Sequence, residues 1–526
     1  MSTTLILIFG LLIVAGTFAS KISNKFGLPV LLVFLLIGML AGTDGLNLIQ
    51  LDDYAMTRDV ANIALLFILF DSGFNTKKDS LKKYAGPSIT LATLGVAITA
   101  VALGLLLHLL LRLELLYSLL IGAIISSTDA AAVMNIMRER PVKEHVSSTL
   151  EIESAANDPM AILLTTFMVN MVLQGGIPAP AEFGVLVAQL LWQFGGGILV
   201  ALVLSRVAIW LFNRFRSANQ SMYYVLYVGT VLSIFGVADL IKANGTIAVF
   251  FAGFWMGNGK FVFKRGLSHF ISGISTFANM VVFLLLGLLV VPKSMVSVWD
   301  PGLILAAVLI FVARPLTVWL CTLFFKFSTR DRLFISWGGL KGAVPIILAT
   351  YPAAAGLDGD GMIFNIVFFV VALSCLLQGG TLSFLAKKLG LSIPPQIHSP
   401  YSLELFALDH TDIDVVDTLI HEDSPLVGRR LMDLQLPHSM VISSIVRQGK
   451  LVSPRGATVL ENNDIVFFMG NRREVEQVII SGGAEILVEG AACMLPVEHE
   501  PKEVVDEAMA IKREGMNLEC ERVTLE

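Results

Sequence analysis

About thirteen apolar stretches of membrane length occupy the first 390 residues, at roughly 4–20, 28–42, 59–74, 86–111, 114–137, 145–173, 182–211, 221–241, 244–257, 267–291, 300–325, 333–352 and 361–386. In hydrocarbon a chain must satisfy its own backbone groups, so runs of this length fold as transmembrane helices. Charge is consistent with that. Only 15% of the 526 residues are charged, against about a quarter in a typical soluble protein. The deficit is uneven. Residues 1–398 hold 26 Lys+Arg and 19 Asp+Glu, a local net of +7, whereas residues 399–526 hold 11 and 23, a local net of −12. This division disfavours a soluble enzyme, a nucleic-acid binder and a disordered chain. It reads as an all-α polytopic part that takes lipid as its solvent, followed by a soluble part.

The loops set an orientation. One side holds nineteen Lys and Arg, from Lys21 and Lys25 to Lys387 and Lys388, and the other holds Arg58, Arg112, Lys242 and Lys293. Basic loops resist export, so the richer side is cytoplasmic. The N-terminus is then periplasmic and the C-terminal part cytoplasmic, in a bacterial inner membrane. No Lys or Arg precedes the first apolar stretch, which favours a retained first span over a cleaved signal peptide. Cys321, Cys375, Cys493 and Cys520 have neither short pair spacing nor partner histidines, so neither a disulfide framework nor a zinc site is expected.

Two spans are interrupted. The fifth carries Ser126-Ser127-Thr128-Asp129, and the twelfth carries Gly338-Gly339-Leu340-Lys341-Gly342-Ala343 followed by Pro345. With the seventh span as a linker, spans 1–6 and 8–13 form two halves with interruptions in equivalent places. Paired broken helices at matching positions point to a transporter built from inverted repeats, in which half-helix ends meet near the midplane and bind ions. Small-residue helix packing explains either stretch alone, but not a carboxylate in one and an ammonium in the other.

The ionisable residues furthest from any loop are Asp129, Glu153, Asp158, Arg314 and Lys341. Each costs about 2.5–3.5 kcal/mol at a helix centre, so they must face a polar interior and compensate one another. Span six reads Glu153-Ser154-Ala155-Ala156-Asn157-Asp158-Pro159. Helical spacing stacks Glu153 over Asn157 and Ser154 over Asp158. Pro159 lacks an N–H and frees the carbonyl of Ala155. Carboxylate, hydroxyl, amide and free carbonyl in one turn suit a dehydrated monovalent cation, K+ or Na+ at Asp158. A carboxylate caught between burial and nearby cations can exchange a proton for that ion. Arg314 is too deep to snorkel and pairs with Glu153 on this reading, while Lys341 neutralises half-helix carbonyls or a carboxylate.

Other signals are weaker. Asp71 lies close to a cytoplasmic loop, Asp239 and His108 lie near outer span ends, and His145 and His269 are isolated. The stretch Gly257-Asn258-Gly259-Lys260-Phe261 fails as a phosphate-binding loop on spacing and on the missing hydroxyl. A Thr-Val-Gly-Tyr-Gly filter is absent, which counts against a potassium channel.

At these residues the chain resembles a known family. Ser127-Thr128-Asp129, Glu153 to Pro159, Arg314-Pro315 and Gly339-Leu340-Lys341-Gly342-Ala343-Val344 are similar to the motifs of monovalent cation/proton antiporters of NhaP type, over about residues 1–390. The resemblance implies a homodimer whose core bundle moves against a dimerisation scaffold. It implies that Asp158 carries either the proton or the cation, and that Thr128, Asp129 and Ser154 help to form the ion site. Asn157 would stabilise the crossing of the broken helices, and Glu153 with Arg314 would be a structural pair. An Asn-Asp pair goes with electroneutral exchange in this superfamily. Lys341 departs from the Arg of many relatives, keeping the charge but not the fork.

After Pro394-Pro395 the composition turns soluble. Strands are expected at Leu403–Leu408, Ile413–Ile420, Met440–Arg447 and Asp464–Met469, with a helix over Gly428–Leu434. Ser424 to Leu431, Pro454-Arg455-Gly456 and Asn463-Asp464 resemble the TrkA-C-like ligand-binding module of potassium-conductance regulators. A small α/β regulatory domain over 400–485 is therefore expected, with an unidentified small-molecule or ion ligand. The acidic tail 486–526 includes a charged stretch, Pro501–Arg513. The whole reads as an electroneutral secondary antiporter without cofactor, K+ favoured over Na+ by its regulatory module. A ligand-gated cation channel is the alternative from another class.

Overall fold

Apolar sequence two or more turns long is helical throughout the first part of the chain, because there every backbone group finds its partner within its own segment. The structure, a computed structural model, describes residues 3–393 apart from 27–29, 50–52, 130–132, 134–141, 177–179, 216, 218, 291 and 360. Beyond these it describes 413–471 apart from 421–423, 425, 435 and 438, with Val475 and 485–487. The chain divides into two units, Met1–Pro394 and Pro395–Glu526.

Among the described residues of the first unit, seven helices have the length and apolar character of a membrane crossing: Leu81–Leu111, Glu144–Leu173, Ala188–Phe215, Ser221–Leu240, Lys264–Leu289, Trp299–Cys321 and Met362–Lys388. Shorter apolar helices accompany them, among them Leu115–Ile125 and Ala343–Ala354. Their shortness has a cause, since each is one half of an interrupted span. Helix starts follow local chemistry: the Asp53 carboxylate accepts the Met56 N–H at 2.9 Å, and Asn244 caps the helix Gly245–Asn258 through the Ile247 N–H. Ser328 and Asp331 form a reciprocal capping box on the helix Thr329–Trp337.

Three of the long helices carry a π turn, at Leu91–Gly95, Leu309–Ala313 and Cys375–Gly379. The second lies immediately before Pro315. There the helix widens, and the Arg314 N–H reaches back five residues to Leu309. Counting from the expected linker, Leu81–Leu111 and Trp299–Cys321 are equivalent, and both carry such a turn. Pro159 is different, because the 30-residue helix Glu144–Leu173 runs straight through it.

Apolar clusters pack the first unit, two of them away from its largest, which includes Ile125, Ala155 and Val344 beside the polar residues. Val142, Val146 and Leu150 pack with Phe334, Leu340 and Leu382. Aromatic packing dominates the other, where Phe70, Tyr223, Tyr227 and Phe212 meet Met256 and Leu267.

The second unit is a five-stranded antiparallel sheet in the order β3-β2-β4-β1-β5, with β1 Ile413–Leu419, β2 Val441–Arg447, β3 Lys450–Val452, β4 Ile465–Asn471 and β5 Glu485–Leu487. The strand expected at Leu403–Leu408 and the stretch Pro501–Arg513 lie outside the described residues. The helix expected over Gly428–Leu434 is replaced by a single 3-10 turn, Leu431–Asp433. Gly428 is left-handed (φ +79°), and the N–H groups of Leu431 and Met432 are taken by the carbonyls of Thr458 and Gly456, which leaves no helical ladder there. Strand β5 pairs with β1 through Leu487, so the sheet runs past the boundary expected at 485. On the other side of the sheet, Arg447 grips the buried Asp464 through two hydrogen bonds of 2.8 Å and also binds Glu461. Hydrogen bonds from Asp464, then its charge and that of Glu461, hold the guanidinium above its ordinary pKa against the opposing effect of burial.

Candidate functional site

Both interruptions break where sequence reasoning places them, and they meet. The helix Leu115–Ile125 ends at Ser126, whose hydroxyl donates to the Ala123 carbonyl at 2.6 Å. The other broken span pauses between Trp337 and Ala343. A backbone hydrogen bond of 2.7 Å, from Asp129 N–H to Leu340 C=O, joins the two unwound segments. Such close approach needs residues without side chains. A Cβ on Gly342 would lie 2.5 Å from the Cβ of Asp129, and one on Gly339 would collide with Nε of Arg314. Glycine at these positions is therefore a packing requirement.

The helix Glu144–Leu173 supports the first interruption. Asn157 Nδ2 donates to Thr128 Oγ1 at 2.7 Å, and Oδ1 of the same amide accepts the Thr128 N–H at 3.4 Å. Ser154 Oγ donates to the Thr128 carbonyl at 2.7 Å. Thus Ser154 and Asn157 reach across to Thr128, where spacing alone stacks them over Asp158 and Glu153. Lys341, fully buried, sends its ammonium to the other side of the same segment, donating to Ser127 C=O at 2.8 Å and Ser126 C=O at 3.3 Å. Of the two roles expected for Lys341, its hydrogen bonds fill the first: they cap the carbonyl end of a half-helix, where a cation is stabilised.

Asp158 is half-buried beside this crossing, within electrostatic reach of Asp129 and Lys341 and next to Ser127. The Ser127 hydroxyl is buried, and Asp158 is the side chain it lies against closely enough to interact with by hydrogen bonding. A carboxylate with a hydroxyl beside it offers oxygen ligands that suit a monovalent cation. The arrangement offers only hard oxygen atoms.

Arg314 and Glu153 form a two-pronged ion pair, Nη1 to Oε1 at 2.5 Å and Nη2 to Oε2 at 2.9 Å, with both side chains almost fully buried. The fork geometry consumes both carboxylate oxygens. Glu153 is thereby committed to Arg314, and Asp158 is left as the carboxylate beside the Ser127 hydroxyl.

Two residues set aside on sequence have partners here. His145 Nε2 lies 3.3 Å from Asp331 Oδ1, linking the start of the Asp158 helix to the start of the broken span. Burial opposes ionisation of Asp331, but hydrogen bonds from the Ser328 side chain and backbone, with His145, outweigh it and hold the carboxyl below its ordinary range. Asp71 accepts from Asn75 at 2.8 Å and Ser272 at 3.2 Å, so it is engaged by protein. Ser374 and Gln378 are the polar residues that sequence reasoning missed, while Ser127 was seen in the interruption but given no role of its own. A hydroxyl and an amide in an otherwise uncharged last span were the available signal for the missed pair.

Models of known families match the chain in two places: "Sodium/hydrogen exchanger, transmembrane" over residues 9–388, and "TrkA-C domain" over 415–479. The chain is 37% identical over 473 residues to the K(+)/H(+) antiporter NhaP2 of Shewanella sp. (strain MR-4), covering 89% of this chain and 82% of that protein. It is 36% identical over 476 residues to the K(+)/H(+) antiporter NhaP of Alkalimonas amylolytica, covering 90% and 82%. Against the Na(+)/H(+) antiporter ApNhaP of Aphanothece halophytica it is 30% identical over 396 residues, covering 71% and 72%. Among solved structures, the sodium proton antiporter MjNhaP1 from Methanocaldococcus jannaschii at pH 8 superposes with a TM-score of 0.65 at 25% identity, over 73% of this chain and 98% of that one.

Proposed function

The chain belongs to the sodium/hydrogen exchanger family, and on that footing we propose that it is a cation/proton antiporter that extrudes K+ in exchange for H+. It is a multi-pass membrane protein with a C-terminal TrkA-C domain. Asp158 holds the proton and the cation in turn. The observation that carries the reading is the Asp158 carboxylate with the buried Ser127 hydroxyl beside it, at a crossing of two unwound segments joined by the Asp129–Leu340 bond. Thr128, Asp129 and Ser154 shape the ion site, Asn157 braces it, and Lys341 offsets the half-helix carbonyls. Glu153 with Arg314 is the structural pair. One carboxylate that trades one proton for one monovalent cation moves no net charge, so exchange is electroneutral. The proton gradient is then sufficient drive, and no cofactor is required.

The assignment of K+ is supported by the names of the relatives near 37% identity and by the TrkA-C module. The relative at 30% identity and the MjNhaP1 structure are named for sodium, which keeps Na+ as the second reading. The basic loops support a periplasmic N-terminus and a cytoplasmic TrkA-C domain in a bacterial inner membrane. Family resemblance supports a homodimer. Exchange in proteoliposomes with K+, Na+, Rb+ and Li+ at several pH values tests the reading. Asp158→Asn should abolish cation-driven pH changes, and wild-type exchange in that variant would refute the site. A current that follows voltage would mark a channel instead.

A further inference from the structure

Unwound backbone in hydrocarbon needs partners for its N–H and C=O groups. In the second interruption, Leu340 C=O is taken by Asp129, while the Gly338 and Leu340 N–H groups bond locally, to Phe334 and Gly338. The groups on either side are held by one helix, the last span. Ser374 Oγ accepts the Lys341 N–H at 3.3 Å, Cys375 Sγ donates to the Lys341 carbonyl at 3.0 Å, and Gln378 Nε2 donates to the Trp337 carbonyl at 2.9 Å. Ser374 also donates to Gln378 Oε1 at 2.5 Å, which orients the amide. All three side chains are buried. They lie at the π turn Cys375–Gly379, a geometry concentrated at functional sites.

The pattern repeats the first half of the protein. There the interrupted span is followed by Glu144–Leu173, whose Ser154 and Asn157 hold Thr128. Here the interrupted span is followed by Met362–Lys388, whose hydroxyl, thiol and amide hold Trp337 and Lys341. The second copy of the device lacks the carboxylate, since no charged residue occurs from Met362 to Ala386.

We propose that Ser374, Cys375 and Gln378 are positioning residues for ion exchange. They clamp the backbone at Lys341, so that its ammonium stays on the Ser126 and Ser127 carbonyls and the crossing beside Asp158 keeps its register. One repeat thus supplies the exchanging carboxylate and the other a neutral clamp. This rests on the reading of Asp158 as the exchanging group.

The test uses the full-length protein in proteoliposomes, with K+ and Na+ as cargo. Gln378→Leu and Cys375→Val remove donors at near-constant volume, and Cys375→Ser restores one. The two donor-removing variants should raise the apparent KM for the cation about tenfold, a loss of about 1.4 kcal/mol of binding. They should also move the acid limb of the pH profile to higher pH, because misplaced oxygen ligands weaken the metal ion but not the proton in their competition for Asp158. Cys375→Ser should keep wild-type values, and this pair decides the matter if Gln378→Leu does not fold. Unchanged KM and pH profile in the donor-removing variants would overturn the proposal. So would a loss of rate that merely follows the amount of folded protein. A wild-type protein without cation/proton exchange would overturn the antiport reading, and this inference with it.

Discussion

At the residue scale the buried charges are the most informative feature. Sequence reasoning identified which ones they are, because hydrocarbon makes each of them expensive. It also argued that Arg314 needs an acidic partner, and the structure sets Glu153 against it with both prongs engaged. Removing one member strands the other. Arg314→Met should cost about 3–5 kcal/mol, seen as a lower thermal midpoint of the purified protein, while Glu153→Leu combined with Arg314→Met should recover most of that stability. A single methyl group tests the crossing in a different way. Gly342→Ala places its Cβ 2.5 Å from the Cβ of Asp129, so exchange should fall at least about tenfold in protein that still purifies as folded. Wild-type exchange in that variant would mean that the close approach of the two segments is dispensable.

At the element scale, helices and their two interruptions were legible, because apolar length, glycine and capping chemistry are local properties. The π turns were not. No periodicity of the sequence announces them. The helix expected over Gly428–Leu434 failed for a related reason. Its N–H groups have partners 24 to 27 residues away (Gly456, Thr458), and a propensity argument does not see them. The capping box at Thr329–Trp337 yields a pH prediction. The Asp331 carboxyl is held below its ordinary value, so its stabilisation is complete above about 3.9, the unfolded value, and disappears as pH falls through the lower folded value. Asp331→Asn should remove this acid-side dependence and cost about 1 kcal/mol at neutral pH. Thermal unfolding of both proteins between pH 3 and pH 7, roughly the range over which carboxylates titrate, checks it.

At the scale of the whole molecule, composition separates a membrane part from an acidic soluble part, and the structure divides at Pro394 and Pro395. If the TrkA-C module regulates and the membrane part exchanges ions, deleting 399–526 should leave antiport intact and change its activation. Loss of all exchange in a well-folded truncation would refute that separation. Crosslinking in native membranes should report a dimer that the same truncation does not abolish.

The amino-acid sequence by itself determined the solvent of each part, the helices, where two of them break, and which charged groups had to find company inside the membrane. These follow from hydropathy and from the cost of burying charge, which act locally and need no coordinates. Tertiary structure alone decided the partners. It placed Lys341 on the Ser126 and Ser127 carbonyls, set the Ser127 hydroxyl next to Asp158, and brought the last span against the second interruption. Pairing of this kind joins groups more than two hundred residues apart in sequence at the crossing, such as Asp129 and Leu340. Helical periodicity tells which face a side chain occupies but not which other face will meet it.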